Sequence, residues 1–356
     1  MRLDAVHHEC SVRQLAAPFI RHAATKIKRG RIEVRKLFLA SVVLLAGSLS
    51  AASAQDYPSR NITMMIPFAA GGPTDTVGRL VAESMAKTLG KTIVVENLAG
   101  AGGTRASGQL AKAEPDGYTI LLHHIGMSTA PSLYRKLTFN PLTDFETIGL
   151  VTDAPMSLIS RPNLEAKNFA ELLTYIKAQR DKISLGNAGV GAASHLCGML
   201  LMSTLDVPMT TIPYNGTGPA MTDLLGGQID LMCDQTTNTT SHIKSGKVKV
   251  YGVTTKTRVK NMQEVPTLDE AGLKGFEVAV WHGVYAPKGT PKEIIAKLSS
   301  ALQAALRDEK VIARFADLGT EPVPQADATP EAHKKKLAAE IERWRPLIQK
   351  AGVYAD

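Results

Sequence analysis

The stretch Asn61-Ile62-Thr63-Met64-Met65-Ile66-Pro67-Phe68-Ala69-Ala70-Gly71-Gly72-Pro73-Thr74-Asp75-Thr76 constrains the fold most. Ile62 to Ile66 is a short apolar run with β character, bounded by turn residues, and predicts a buried strand. Pro67 has no amide to give to a sheet ladder and marks the strand end. Gly71 and Gly72 permit positive φ or close approach to a ligand. Thr74 or Asp75 is expected to cap the next helix, because a short side-chain oxygen can accept from its first free amides. Val77, Leu80, Val81, Met85 and Leu89 then recur at helical spacing, with Arg79, Glu83 and Lys87 on other faces. A strand, a glycine turn and an exposed helix N-terminus form a unit that can hold a carboxylate or phosphate.

Two later stretches repeat this pattern. Gly186-Asn187-Ala188-Gly189-Val190-Gly191-Ala192-Ala193-Ser194-His195 follows a strand and precedes a helix with Leu196, Leu200 and Leu201 on its core face. Tyr214-Asn215-Gly216-Thr217-Gly218-Pro219-Ala220 does the same, with Pro219 suited to a first helical turn. None of the three carries Gly-Lys-Ser/Thr at phosphate-loop spacing, and residues 186–191 are not GxGxxG.

Strand and helix signals alternate along 57–354: strands near 93–96, 118–122, 184–187, 209–214, 229–232 and 248–253, with helices between them. That alternation predicts an α/β fold with a mainly parallel sheet, whose ligands sit at the carboxyl ends of the strands. Leu150 to Ile159 reads as a strand leaving a first domain, and Phe276 to Ala286 as a β-rich return. The expected division is 55–157 for the first part of domain 1, 158–278 for domain 2 and 279–356 for the rest of domain 1. Two crossings then make a hinged cleft.

The chain's start reads as an export signal. Arg31, Arg35 and Lys36 precede the apolar run Leu37 to Leu49, and Ala52-Ser53-Ala54 supplies a small-x-small cleavage pattern. Residues 1–54 are expected to be removed after Ala54. Residues 1–30 add nothing a secretory n-region needs, so Val34 is the expected initiator. The removed part holds nine Lys+Arg and three Asp+Glu, which leaves 32 basic and 30 acidic residues, a net of +2 against +8 for the whole chain. The basic balance therefore gives no support to a nucleic-acid partner. Cys197 and Cys233 remain in a compartment that permits disulfides, and either a bond or two buried thiols satisfies the sequence.

Other polar residues have two readings each. Asp75 touches a ligand or caps its helix; Asp234, at a strand end, contacts a ligand or braces the cleft. Ser128 and Thr129 are hydroxyl donors or plain loop residues. His195 packs or functions, and one of His123 and His124 can face the cleft. Trp281 and Tyr285 are expected to pack between the domains. The chain holds no GxSxG, no HExxH and no CxxC, so neither a catalytic triad nor a metal or cofactor is indicated.

The ordered motifs resemble the Bug-type solute receptors of tripartite tricarboxylate transporters. They are Pro67 to Asp75, Gly100-Ala101-Gly102-Gly103, Pro115-Asp116-Gly117-Tyr118-Thr119, Gly189-Val190-Gly191 with Ser194-His195-Leu196, Pro213 to Ala220, Asp223 to Gln228, and Ala286-Pro287-Lys288-Gly289-Thr290-Pro291. The resemblance implies a two-domain periplasmic-binding-protein (Venus flytrap) fold that grips a small organic acid. It also implies a monomer that docks to a large and a small membrane subunit. Carried onto this chain, the first grip is Phe68, Ala70, Gly71, Gly72, Thr74 and Asp75, with Ser128 beside it. The second is Asn187, Ala188, Gly191, Ala192, Ala193, Tyr214, Asn215, Gly216, Thr217 and Asp234. Asn187-Ala188 stands where the family often has small hydroxyl residues, and Cys233 where an aromatic is common. An exported hydrolase using the same cleft and a ligand-sensing partner of a membrane kinase stay open.

Overall fold

The computed structural model describes residues 57–355. The expected signal segment and its cleavage site lie outside them. The described strands are β1 Ile62–Ile66, β2 Ile93–Asn97, β3 Thr119–His124, β4 Phe145–Ser160, β5 Ser184–Asn187, β6 Thr210–Pro213, β7 Leu231–Gln235, β8 Lys249–Val253 and β9 Ala279–Pro287. The helices are α1 Pro73–Leu89, α2 Thr104–Leu110, α3 Gly126–Leu133, α4 Phe169–Gln179, α5 Ala193–Leu205, α6 Thr217–Leu225, α7 Thr236–Lys244, α8 Lys292–Ala305, α9 Glu309–Asp317 and α10 Pro330–Ala351.

Two sheets share the long strand β4. Its first part, Phe145 to Pro155, pairs antiparallel with β9. Its last part, Met156 to Ser160, pairs antiparallel with β7, and β8 flanks it on the other side. The first sheet runs β2-β1-β3-β9-β4 and the second continues β4-β7-β5-β6. Among the described strands, parallel pairing is confined to β1–β2, β1–β3, β5–β6 and β5–β7. The sheets are therefore evenly mixed and not mainly parallel. β4 and β9 run against their neighbours, which breaks the βαβ repeat that the alternating pattern suggests.

Local chemistry builds the units as the residues suggest. β1 is buried along nearly its whole length. Val77, Val81 and Met85 of α1 are fully buried at i, i+4 and i+8; burying a side chain of this size contributes about 1.5–3 kcal/mol. α10 starts at an N-cap, Thr329, whose hydroxyl accepts from the Ala332 amide at 3.2 Å, with Pro330 in the first turn. Its buried stripe, Leu337, Ile341, Trp344 and Ile348, repeats at three- and four-residue steps. One apolar core runs along β4 through both sheets, from Met65 and Leu121 to Leu158 and Leu172.

Trp281 and Tyr285 do not lie between the domains. Both sit on β9 against His333 of α10, with ring centroids 5.9 and 4.4 Å away. β9's alternation turns these residues into the helical layer beside the first sheet.

Candidate ligand-binding cleft

The strand ends converge. Phe68, Pro73 and Thr74 follow β1, and His124 ends β3. Ala188, Ala193 and Ser194 follow β5, Thr217 opens α6 after β6, and Asp234 and Gln235 end β7. Together these ten residues line a space with about 10 Å³ for the centre of a water molecule, room for roughly one water. Four helices, α1, α5, α6 and α7, begin at this space, with Pro73, Ala193, Thr217 and Thr236 as their first residues. Each brings unpaired amides and a positive dipole end. A wider groove of about 710 Å³ lies beside α2, lined by Arg105, Lys112 and Lys136, but no carboxyl end of a strand and no N-terminus of a helix of eight residues or more opens into it.

Polar groups at the cavity are partly committed. Thr74 Oγ1 lies 3.4 Å from His282 Nε2, and His282 Nδ1 lies 3.1 Å from Val280 O. The Gly126 amide donates to His124 Nδ1 at 3.0 Å, which leaves the ring proton on Nε2. Ser194 Oγ accepts from the Ala188 amide at 2.9 Å. Thr217 Oγ1 and Gln235 Oε1 are buried without a hydrogen-bond partner; such groups are costly unless a ligand or water meets them. Phe68 stacks on His124, centroids 4.7 Å apart, and packs with Ala188 and Ala192.

Asp234 is 1% exposed. Burial pushes its carboxyl up to about 6, against the pull of hydrogen bonds from Asn238 and the Gln235 amide. Thr217 Oγ1 lies close to it without meeting hydrogen-bond geometry. Burial also holds His123 down at about 3, His282 at about 4 and His124 well below its ordinary value. His124, which lines the cavity, and His123 and His282 beside it are therefore neutral imidazoles.

Six residues singled out from the sequence, Phe68, Thr74, Ala188, Ala193, Thr217 and Asp234, line the cavity. Others hold the loops together. Asp75 caps nothing: the N-cap is Gly72, with no side-chain bond. Its carboxylate folds back to accept from the Gly71 amide at 3.0 Å, from Arg79 and from Asn97. Burial tends to raise its pKa, but the Arg79 guanidinium and these donors hold it below the usual range. Ser128 sits in α3 and donates to Ile125 O at 2.7 Å, so its hydroxyl is turned away from the cavity. Asn187 Oδ1 accepts from the Gly189 amide, and Tyr214 donates to Asp223. Ala192 is the N-cap of α5. Ser194 and Gln235 were not among the sequence candidates for the grip, whereas Pro73 falls inside the Phe68 to Asp75 stretch and His124 is one of the two histidines read as able to face the cleft. The available signal was position alone, at a strand end or in the first turn of a glycine-led helix.

The remaining loop residues meet across the cleft. The Ala69 amide donates to Asn215 O at 2.9 Å. A Cβ on Gly216 would stand 3.0 Å from Ala69 N, and one on Gly218 would stand 3.2 Å from Ala70 O. On the other flank Tyr134 donates to Val190 O at 2.7 Å and Thr129 to Gly191 O at 3.2 Å. Among the described residues no group of three His, Cys, Asp or Glu could hold a metal, and no helix is long and apolar enough to cross a membrane. Cys197 of α5 and Cys233 of β7 are joined by a disulfide, Cα–Cα 6.0 Å.

Residues 77–353 match the family model of the tripartite tricarboxylate transporter family receptor. A UPF0065 protein from the TAR-I ttuE-ttuC' intergenic region of Agrobacterium vitis is 53% identical over 302 residues, 85% of this chain and 87% of the relative. The solved periplasmic binding protein BugD is 56% identical with a TM-score of 0.82, over 84% of this chain and all of that one. MatC from Rhodopseudomonas palustris, solved with bound malate, is 40% identical with a TM-score of 0.80, over 82% of this chain and all of that one. Two sheets joined at β4, with a cavity at their strand ends, are thus the fold of a periplasmic binding protein, and the chain belongs to the receptor family of the tripartite tricarboxylate transporters.

Proposed function

We propose that this protein is an extracytoplasmic receptor that captures a small organic carboxylate between its two domains and passes it to a large and a small membrane subunit. One observation carries the reading: four helix N-termini and the unpartnered Thr217 hydroxyl, which can donate to a carboxylate, meet at one buried space. Such a site neutralises an anion through amides and dipoles without an arginine. Two or three charge-assisted hydrogen bonds of about 1.5–3 kcal/mol each support micromolar binding, about 8 kcal/mol. MatC, with its bound malate, supports the ligand class.

A dicarboxylate needs many times the space that the cavity offers, so the domains separate to admit it. The proposed division puts 55–157 and 279–356 in one domain and 158–278 in the other, with β4 and the start of β9 as the crossings. Phe68, Thr74, Ala188, Ala193, Thr217 and Asp234 are the proposed contacts, with His124, Ser194 and Gln235 added. We also propose export to the periplasm by the signal ending at Ala54, a monomeric state and no turnover of the ligand.

The test is a thermal-shift and calorimetric screen of the processed protein against L-malate, succinate, citrate, L-aspartate and benzoate, after unfolding and refolding to strip carried-over ligand. A ligand at 100 times its dissociation constant stabilises by about 2.7 kcal/mol, and it should be recovered chemically unchanged. A flat response to every carboxylate would overturn the reading, and an altered ligand would favour the exported hydrolase. Uptake into vesicles holding the two membrane subunits, with and without the receptor, tests the delivery step.

A further inference from the structure

Asp234 is a carboxylate at a site that attracts carboxylates. It ends β7, lines the cavity and is 1% exposed. Its Oδ2 accepts from Asn238 Nδ2 at 2.7 Å, and no lysine or arginine among the described residues forms an ion pair with it.

The groups around it offer no positive charge. On β4, Ser157 stands opposite it, and the acid nearest along that strand is Asp153, which is itself raised by burial. β5 carries no titratable side chain. On α5, His195 is held at about 4 by burial. On α6, Asp223 accepts from the Tyr214 hydroxyl. His242 and Lys244 lie in the last turn of α7, at the end away from Asp234. Across the cavity stand His123 and His124 of β3 and His282 of β9, all held neutral. Asp75 of α1 is there too, bound to Arg79 at 2.9 Å.

A ligand carboxylate drawn to the α6 and α7 N-termini comes to rest beside Asp234, because Thr217 and Gln235 flank both. Two carboxylates in one dry space do not both stay ionised. We propose, on the carboxylate reading above, that ligand capture takes up one proton from solvent, carried on Asp234. Asp234 is then the residue that sets which charge form the cleft accepts. As a neutral acid it donates an O–H to the ligand carboxylate, where its ionised form would repel it.

The burial that raises this carboxyl to about 6 makes the proton accessible at neutral pH. A group of that pKa is about nine-tenths ionised at pH 7, so binding there takes up roughly 0.9 proton. The linkage sign follows: a complex that holds one more proton than the free protein weakens as pH rises. Affinity should fall by up to about tenfold per pH unit above pH 7.

The experiment is titration calorimetry of the processed protein with L-malate, whose two carboxyls are ionised above about pH 6.5. It is run at pH 7 in phosphate and in Tris, and the dissociation constant is followed from pH 6.5 to 8. The expected result is a buffer-dependent heat equal to roughly 0.9 proton per ligand. Asp234→Asn should bind with no proton uptake and a flat pH profile. Buffer-independent heat in the native protein would overturn the proposal and leave the carboxylate reading standing. Uptake that survives in Asp234→Asn would overturn it in favour of His124. Loss of all malate binding in a folded Asp234→Asn, with L-aspartate bound by the native protein without uptake, would overturn it in favour of an ammonium-bearing ligand. Absence of heat with malate, succinate and citrate at every pH would overturn the carboxylate reading and this one together. Should Asp234→Asn fail to fold, the native protein's buffer dependence decides alone.

Discussion

A Cβ placed on Gly102 would lie 1.9 Å from Val190 O, and the residue's φ is +58°. Its glycine is thus required twice, by a left-handed backbone and by the close approach of the two domains. Gly102→Ala should weaken ligand binding by tenfold or more, read by calorimetry, because the closed form no longer fits. Asp234 acts on stability as well. Its folded pKa of about 6 lies above the unfolded value of about 3.9. Its contribution is therefore fully present below pH 4 and is lost as pH rises through 6. Asp234→Asn should raise stability at pH 7.5 by on the order of 2–3 kcal/mol and leave it unchanged at pH 3.5, in urea unfolding without ligand. An equal effect at both pH values would show that the carboxyl is not strained by burial. At this scale the sequence was half legible. Phe68, Thr74 and Asp234 stand out from their motifs and His124 from its place at a strand end, whereas Ser194 and Gln235 gain meaning only from which strand ends face one another.

Among the elements, α3 and α7 show why sequence reading stops short. α7 reads Thr-Thr-Asn-Thr-Thr-Ser-His-Ile-Lys, with weak helix formers and no apolar stripe. It is helical because its buried hydroxyls find carbonyls elsewhere: Thr236 donates to Gly319 O at 3.0 Å and Thr240 to Leu318 O at 3.1 Å. α3 contains Pro131 and so hides its helix. Its C-cap is Tyr134, whose hydroxyl reaches Val190 O across the cleft at 2.7 Å. Tyr134→Phe removes that bond, worth about 0.5–1.5 kcal/mol. Ligand affinity should drop about two- to tenfold, with unfolding little changed. No change in affinity would mean that this bond is absent from the ligand-bound form. The disulfide ties α5 to β7 across 36 residues of sequence. Replacing both Cys197 and Cys233 by serine should lower stability by about 2–4 kcal/mol, measured by denaturant unfolding. Asp234 adjoins Cys233, so the same variant should also loosen binding.

For the molecule as a whole, the bonds Ala69–Asn215, Thr129–Gly191 and Tyr134–Val190 all span the cleft, and the buried space holds about one water. Entry of a ligand larger than water therefore requires opening, and capture requires closing. Small-angle scattering should show a smaller radius of gyration when a saturating carboxylate is added to stripped protein, and Gly102→Ala should blunt that compaction. An identical radius in both states would remove domain closure from the account. The sequence by itself determined the local units, because strand period, turn glycines and helix stripes depend on residues within a few positions of one another. The α/β class, the anion-seeking helix starts and the family motifs were all readable at that range. Only the tertiary structure decided that β4 belongs to both sheets and that β9 runs antiparallel beside it. It alone brings residues 68, 124, 188, 217 and 234 to one cavity. Those contacts join residues far apart in the chain, and no local pattern encodes which strand end will face which.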